Sequence, residues 1–402
     1  MHWEGVRLND FLKTINDYNS TQGPTDKIYI AVERTDQSMQ TYLANYQAGA
    51  SEDIYHLNDV NIADLAARKF FAVPPQDTVD YIKKTYVQSS IESGTYNNQV
   101  LGYPTENQPH LLSLNQTLFQ QAGLTIADAP KTFDDIRRVA KQLTKIDGGK
   151  KVQAGWIVHN EVDPSFGPDA ERNFISRCLY QFLEGAPLFD TSTTPPKFDI
   201  TSDAARKYTD LQYNLIQDGS TNSDMGDAYP TWQQGRGAMY TEDAWAFIYI
   251  LRDGGLPGIL DKTSAVGLRN SDGTKTGNIS RNYHYVVSSK SSHQDLAWQF
   301  LKWMNDGPSY RMQDYMTNVY GFIPSVKDYP MPKVFPDQIN KAFVDSLKEP
   351  NQTAMPTMKG LGEIQKIFRD ADDALFSKQL NVDEYTKRVD SEVRAAMEKS
   401  YS

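Results

Sequence analysis

Apolar positions along this chain repeat with two periods, and each change of period marks the start of a new element. Leu8, Phe11, Leu12 and Ile15 share one face of a helix. A turn at Gly23-Pro24 leads into KIYIAV (27–32), whose β-branched and aromatic residues predict a strand. A helix through Met39, Tyr42, Leu43 and Tyr46 precedes EDIYHL (52–57), which predicts a second strand. Strands and helices in alternation predict an α/β fold with a parallel sheet covered by helices. In open sheets of that kind ligands bind beyond the carboxyl ends of the strands, so Glu33, Asn58 and Asp59 are candidates by position.

Residues 102–115, GYPTENQPHLLSLN, break the alternation. Pro104 and Pro109 supply no backbone N–H, which predicts an extended crossing and not a continuous central strand or a helix interior. Its Glu106, Asn107, Gln108 and His110 are polar groups that a hinge facing a ligand would need; an ordinary surface loop is the equal alternative. A helix follows at Leu118, Phe119 and Ala122, with Gly123 near its end. Thr132 predicts an N-cap, with Asp135 three residues on and a buried face at Phe133, Ile136, Val139, Ala140 and Leu143. KKVQAGWIV (150–158) predicts a strand leading to Asn160 and Glu161, and a helix over 170–183 ends at Gly185. The Thr/Pro connection 191–196 reads as a surface loop.

A second informative stretch is WQQGRGAMYTEDAWAFIYIL (232–251), a strand after a glycine turn and then a helix opened by Asp243-Ala244-Trp245. A tryptophan at such a junction can offer a flat face to the C–H side of a sugar ring; the plainer reading puts Trp245 in the core. Beyond it, NYHYVVSS (282–289) predicts a strand and Leu296, Ala297, Phe300, Leu301 and Met304 a helical face. YGFIPS (320–325) predicts a further extended crossing, and the C-terminal third is helical, with faces at Ile364, Ile367, Phe368, Ala371, Leu375 and at Tyr385, Val389, Val393.

Composition narrows the function. At 402 residues two lobes are expected. No apolar run reaches the roughly 18 residues of a membrane span. The net charge of −10 disfavours nucleic acid, which requires a basic stripe. The lone Cys178 cannot form an internal disulfide and reads as a buried apolar residue. The six histidines show no i, i+4 pair and no cysteine partner, so neither a zinc site nor any other cofactor is expected. Gly-rich phosphate cradles and GxSxG are absent from the sequence. Met1-His2-Trp3-Glu4-Gly5 reads as the end of a strand running into a turn, which places any export signal and the rest of that strand out of view.

Five blocks in order carry a resemblance: GYPTENQPHLLSLN with TLFQQAGL, PKTFDDIRRVAKQLT, WQQGRGAMYTEDAW, HYVVSSKSSHQDLAWQFLKWM and GFIPS. Together they resemble the extracellular solute-binding proteins of carbohydrate ABC transporters, the group that includes maltose-binding protein. The resemblance implies a two-lobe periplasmic-binding-protein-like fold of class II, with three crossings between lobes and a ligand cleft. Residues 1–110 and 284–322 would form one lobe, 111–283 and 323–402 the other. It implies a monomer outside the cytoplasm, held to the membrane at most by a lipid anchor, that delivers a carbohydrate to permease subunits. On the family's pattern the contacts would be Trp3, Glu4, Glu33, Asn58 and Asp59 after the first strands, with Glu106 and Gln108 in the crossing. Asn160, Asp243 and Trp245 would serve from the second lobe, and Arg281 and Tyr283 from the second crossing. Two departures stand out. Asp243 replaces the usual glycine, and no aromatic platform is evident near Met358 to Gly362.

The residues suit that chemistry. An uncharged polyol is held by carboxylates and amides that accept from hydroxyls, and by aromatic faces. Two rivals remain at this point. One is a glycoside hydrolase, with carboxylates such as Glu106 and Asp243, or Glu33 and Asp59, as its catalytic pair. The other is a same-fold binder of a cationic or phosphorylated solute.

Overall fold

The computed structural model describes residues 6–23, 26–29, 39–159, 171–243, 258–307, 309–320, 322–330 and 337–402. The strands that carry the argument are β1 (Ile54–Asn58), β2 (Tyr103–Pro109), β3 (Leu111–Asn115), β4 (Met239–Glu242), β5 (Thr263–Val266), β6 (Thr276–Val287) and β7 (Asn351–Ala354). The helices are α1 (Val6–Ser20), α2 (Asp59–Ala67), α3 (Phe133–Leu143), α4 (Glu171–Leu183), α5 (Asp203–Gln217), α6 (Gln294–Asn305), α7 (Leu361–Phe376) and α8 (Val382–Tyr401). Among the described residues no helix is long and apolar enough to cross a membrane. The chain forms two compact units, Met1–Gln108 with Arg281–Val334, and Pro109–Ser280 with Phe335–Ser402, and passes from one to the other three times.

In the first unit β1 and β2 both pair antiparallel with the Arg281–Val287 half of β6. Alternation along β1 sends Tyr55 and Leu57 into a core with Ile62 and Leu65 of α2, Phe70, Phe71, Leu101 and Val286. This sheet corrects two expectations. Residues 103–109 form a strand with every residue buried, where the prolines predict no continuous strand and a surface loop is the alternative; the extended crossing itself stands, since the chain passes between the units at Gln108–Pro109. The proline objection is met locally: Pro104 lies at a register shift opposite His284, where the ladder is already broken, and Pro109 is the last residue of its strand. The second correction concerns direction. The predicted strand 27–32 has no strand at 27–29, and its remainder lies outside the described residues. β1 runs antiparallel to its β6 partner, because alternation of strand and helix fixes the order of elements but not which distant strand fills the neighbouring place.

In the second unit β3 is central, with β4 and β5 antiparallel on either side. The other half of β6 pairs in parallel with β7, Gly277 opposite Asn351 through Ser280 opposite Ala354. The Thr132 hydroxyl accepts the Asp135 N–H at 3.0 Å and caps α3 as its sequence predicts. Gly185, at φ 90°, ends the α4 segment in a conformation that favours glycine.

Helices α4, α5, α7 and α8 enclose Arg177. Its guanidinium donates to Thr209 Oγ1 at 2.8 Å, lies 5.1 Å and 5.0 Å from the ring centres of Tyr208 and Tyr385, and approaches Asp372 at 3.7 Å. The Tyr385 hydroxyl donates to the same carboxylate at 2.8 Å. Burial pushes the Asp372 carboxyl up to about 6, with Arg177 pulling against it. Cys178, next along α4, is buried and its thiol is pushed up by desolvation, so it is held as an unreactive thiol.

Candidate functional site

Six of the sequence candidates converge in the first unit, five on three adjacent strands and Asp59 at the start of α2. The register places Tyr283 of β6 opposite both Asn58 of β1 and Glu106 of β2, and Arg281 opposite Gln108. Asp59 opens α2 directly after β1, where a carboxylate is favoured by the helix N-terminus. Its Oδ2 accepts the Asn282 N–H at 3.1 Å, and Asn282 Oδ1 accepts from the Ser90 hydroxyl at 2.6 Å.

Burial separates these six into two sets. Asp59, Glu106 and Gln108 are almost fully enclosed, whereas Asn58, Arg281 and Tyr283 are partly exposed. The Glu106 carboxylate accepts from the Thr105 hydroxyl and from Gln108 Nε2, and lies 3.7 Å from His56 Nε2. Burial lowers the His56 pKa more than Glu106 raises it, so the contact is one of a neutral imidazole with a carboxylate. His56 stacks on Tyr285 and leans on Tyr283, and the Arg281 guanidinium lies 5.4 Å over the Tyr283 ring with Nη2 3.3 Å from its hydroxyl. The enclosed carboxylates therefore hold β1, β2 and β6 in register. The Asn58 amide, the Arg281 guanidinium and the Tyr283 phenol keep part of their surface accessible. Asn58 Oδ1 has no hydrogen-bond partner among the described residues.

In the second unit Asp243 lies just past β4. The ladder of β3 with β4 ends at Leu111 opposite Glu242, so Asp243 and His110 come one step beyond it. One donor atom from each of His110, Glu242 and Asp243 falls within 4.8 Å of the others, and all three residues are buried. Glu242 Oε1 accepts the Asp243 N–H at 2.9 Å, and Oε2 lies 3.2 Å from His159 Nε2. His159 Nδ1 is in turn 3.2 Å from the Tyr240 hydroxyl. Sequence spacing places His110 among the polar groups of residues 102–115 but does not reach Glu242 or His159, because only the strand register brings them together. Trp3, Glu4, Glu33, Asn160 and Trp245 lie outside the described residues.

Comparison with known proteins agrees with this architecture. The family described as bacterial extracellular solute-binding protein matches residues 13–342. No curated protein sequence matches. Among solved structures, the sugar-binding protein MalE from the phytopathogen Xanthomonas citri aligns at a TM-score of 0.79, with 16% identity over 98% of this chain and 96% of that one. The cyclic alpha-maltosyl-1,6-maltose binding protein from Arthrobacter globiformis aligns at 0.76, with 16% identity over 99% and 97%. Maltose-bound MalE3 of T. maritima aligns at 0.76, with 18% identity over 97% of each chain. At these identities the likeness is one of fold.

Proposed function

The chain belongs to the bacterial extracellular solute-binding protein family, and from that premise we propose that it binds an uncharged di- or oligosaccharide outside the cytoplasm and delivers it to the permease of an ABC transporter. The family match over most of the chain carries this reading, and the fold shared with the sugar-binding MalE of Xanthomonas citri supports its carbohydrate part. The chain acts as a monomer. Asn58, Arg281 and Tyr283 contact ligand hydroxyls, Asp59, Glu106 and Gln108 hold those contacts in place, and Asp243 adds a further contact. Trp3, Glu4, Glu33, Asn160 and Trp245 complete the contact set.

The chemistry is that of capture and release. A saccharide offers hydroxyls that donate and accept, so amides, a guanidinium and a phenol match it without a compensating charge on the ligand. No bond of the sugar is made or broken.

A thermal-shift panel of mono-, di- and oligosaccharides tests the reading. A saccharide at about 100 times its dissociation constant raises stability by about 2.7 kcal/mol, visible as a higher Tm. A panel in which no saccharide raises the Tm while a polyamine or a phosphorylated polyol does would replace the carbohydrate by a charged solute.

A further inference from the structure

We propose that His110, Glu242 and Asp243 form a binding site for a first-row divalent metal ion of the Zn2+ class within the second unit. The three residues are 1%, 0% and 2% exposed, and their donor atoms lie within 4.8 Å of one another. Glu242 and Asp243 are consecutive, and the β3–β4 register brings His110 beside them. A divalent cation placed between the two carboxylates and the imidazole is held by all three donors at once.

The donor set selects the ion. One imidazole nitrogen with two carboxylates suits Zn2+ and its first-row neighbours, whereas Ca2+ and Mg2+ take oxygen-only shells. Metal–ligand bonds of about 2.0–2.2 Å in a tetrahedral centre put donors about 3.4 Å apart, so the present spacing closes by about 1 Å or a little more on binding. Three protein donors leave at least one position for water. An outer layer is also in place. His159 approaches Glu242 Oε2 at 3.2 Å and is itself met by the Tyr240 hydroxyl, an arrangement that orients a ligating carboxylate. The Asp243 N–H bond to Glu242 Oε1 fixes the two acids relative to each other.

The test uses the full chain, stripped with a chelator and free of saccharide, so its outcome is independent of the carbohydrate reading. Titration with ZnCl2 by calorimetry should show saturable binding of one equivalent, and CoCl2 should develop visible absorption bands that Zn2+ displaces. His110→Gln and Asp243→Asn should each weaken Zn2+ binding by tenfold or more. His159→Gln should weaken it about tenfold through lost orientation, while His293→Gln, remote in sequence and exposed, should leave it unchanged. Absence of saturable one-to-one binding in the unaltered protein overturns the proposal whatever the variants do. So does binding that is unaffected by both His110→Gln and Asp243→Asn.

Discussion

Replacing His284 with glutamine should remove a specific part of the protein's sensitivity to acid. The imidazole is buried on β6, where Nε2–H donates to the Ser90 carbonyl at 3.0 Å and lies 3.4 Å from the Ser93 hydroxyl. Among the described residues Nδ1 has no hydrogen-bond partner, so a second proton would arrive on an enclosed nitrogen with nothing to receive it. Burial lowers the His284 pKa to about 4; the Ser90 bond and Glu106 oppose the shift, and His56 adds to it. Measured against an unfolded value of about 6.5, a depression of about 2.5 units corresponds to about 3 kcal/mol. The unfolded chain takes up the proton first as pH falls. This contribution is therefore fully present above about pH 6.5 and is lost as the pH falls toward about 4. Asp372 acts in the opposite sense. Its folded pKa is raised to about 6, so its contribution is fully present below its unfolded value and is lost as pH rises through about 6. That component is common to both proteins and cancels in their difference. Glutamine can still donate to Ser90 but does not titrate. Urea unfolding of both proteins between about pH 4 and 7 should show a stability difference that changes by up to about 3 kcal/mol across the window. Parallel profiles would refute the argument, because they would mean that the buried imidazole takes up its proton as easily as an exposed one.

Three further substitutions test other parts of the structure. Arg177→Met leaves Asp372 enclosed without its cation and should lower the unfolding free energy by about 3–5 kcal/mol, with part of the loss recovered by adding Asp372→Asn; denaturant titration of the two variants checks both effects. Gly102→Ala would drive a methyl group into the Tyr285 carbonyl oxygen of β6 and the Val286 side chain, and should cost about 1–3 kcal/mol in the same assay. Asn58→Ala should leave the Tm of the empty protein nearly unchanged, since Asn58 makes no side-chain bond to cap α2, while weakening saccharide binding by about 1 kcal/mol in calorimetry.

Local signals in the sequence were reliable where one short segment decides the outcome. Thr132 with Asp135 announces the start of α3, and Gly185 the end of the α4 segment, because caps depend on neighbours a few residues apart. Asn58 and Asp59 are legible as lying at the carboxyl end of a strand, but the loop expected there is absent: Asn58 closes β1 and Asp59 opens α2. The strand pairing of residues 103–109 is not legible because the cost of a proline in a strand depends on the partner strand, and the register shift on β6 that accommodates Pro104 is nearly two hundred residues away. The division of the candidates into enclosed Asp59, Glu106 and Gln108 and partly exposed Asn58, Arg281 and Tyr283 also comes from packing, on which residue type is silent. His110 meets the consecutive Glu242 and Asp243 only through the pairing of β3 with β4, so no spacing rule could bring it to them.

The proposed reversible capture of a carbohydrate without chemistry is tested most directly by calorimetric titration with the saccharide that raises the Tm most, followed by chromatography of the sugar recovered after long incubation. The expected result is saturable binding of one saccharide per chain and full recovery of the sugar unchanged. A recovered pool that contains cleavage products, or the absence of saturable binding for every saccharide tried, would contradict it.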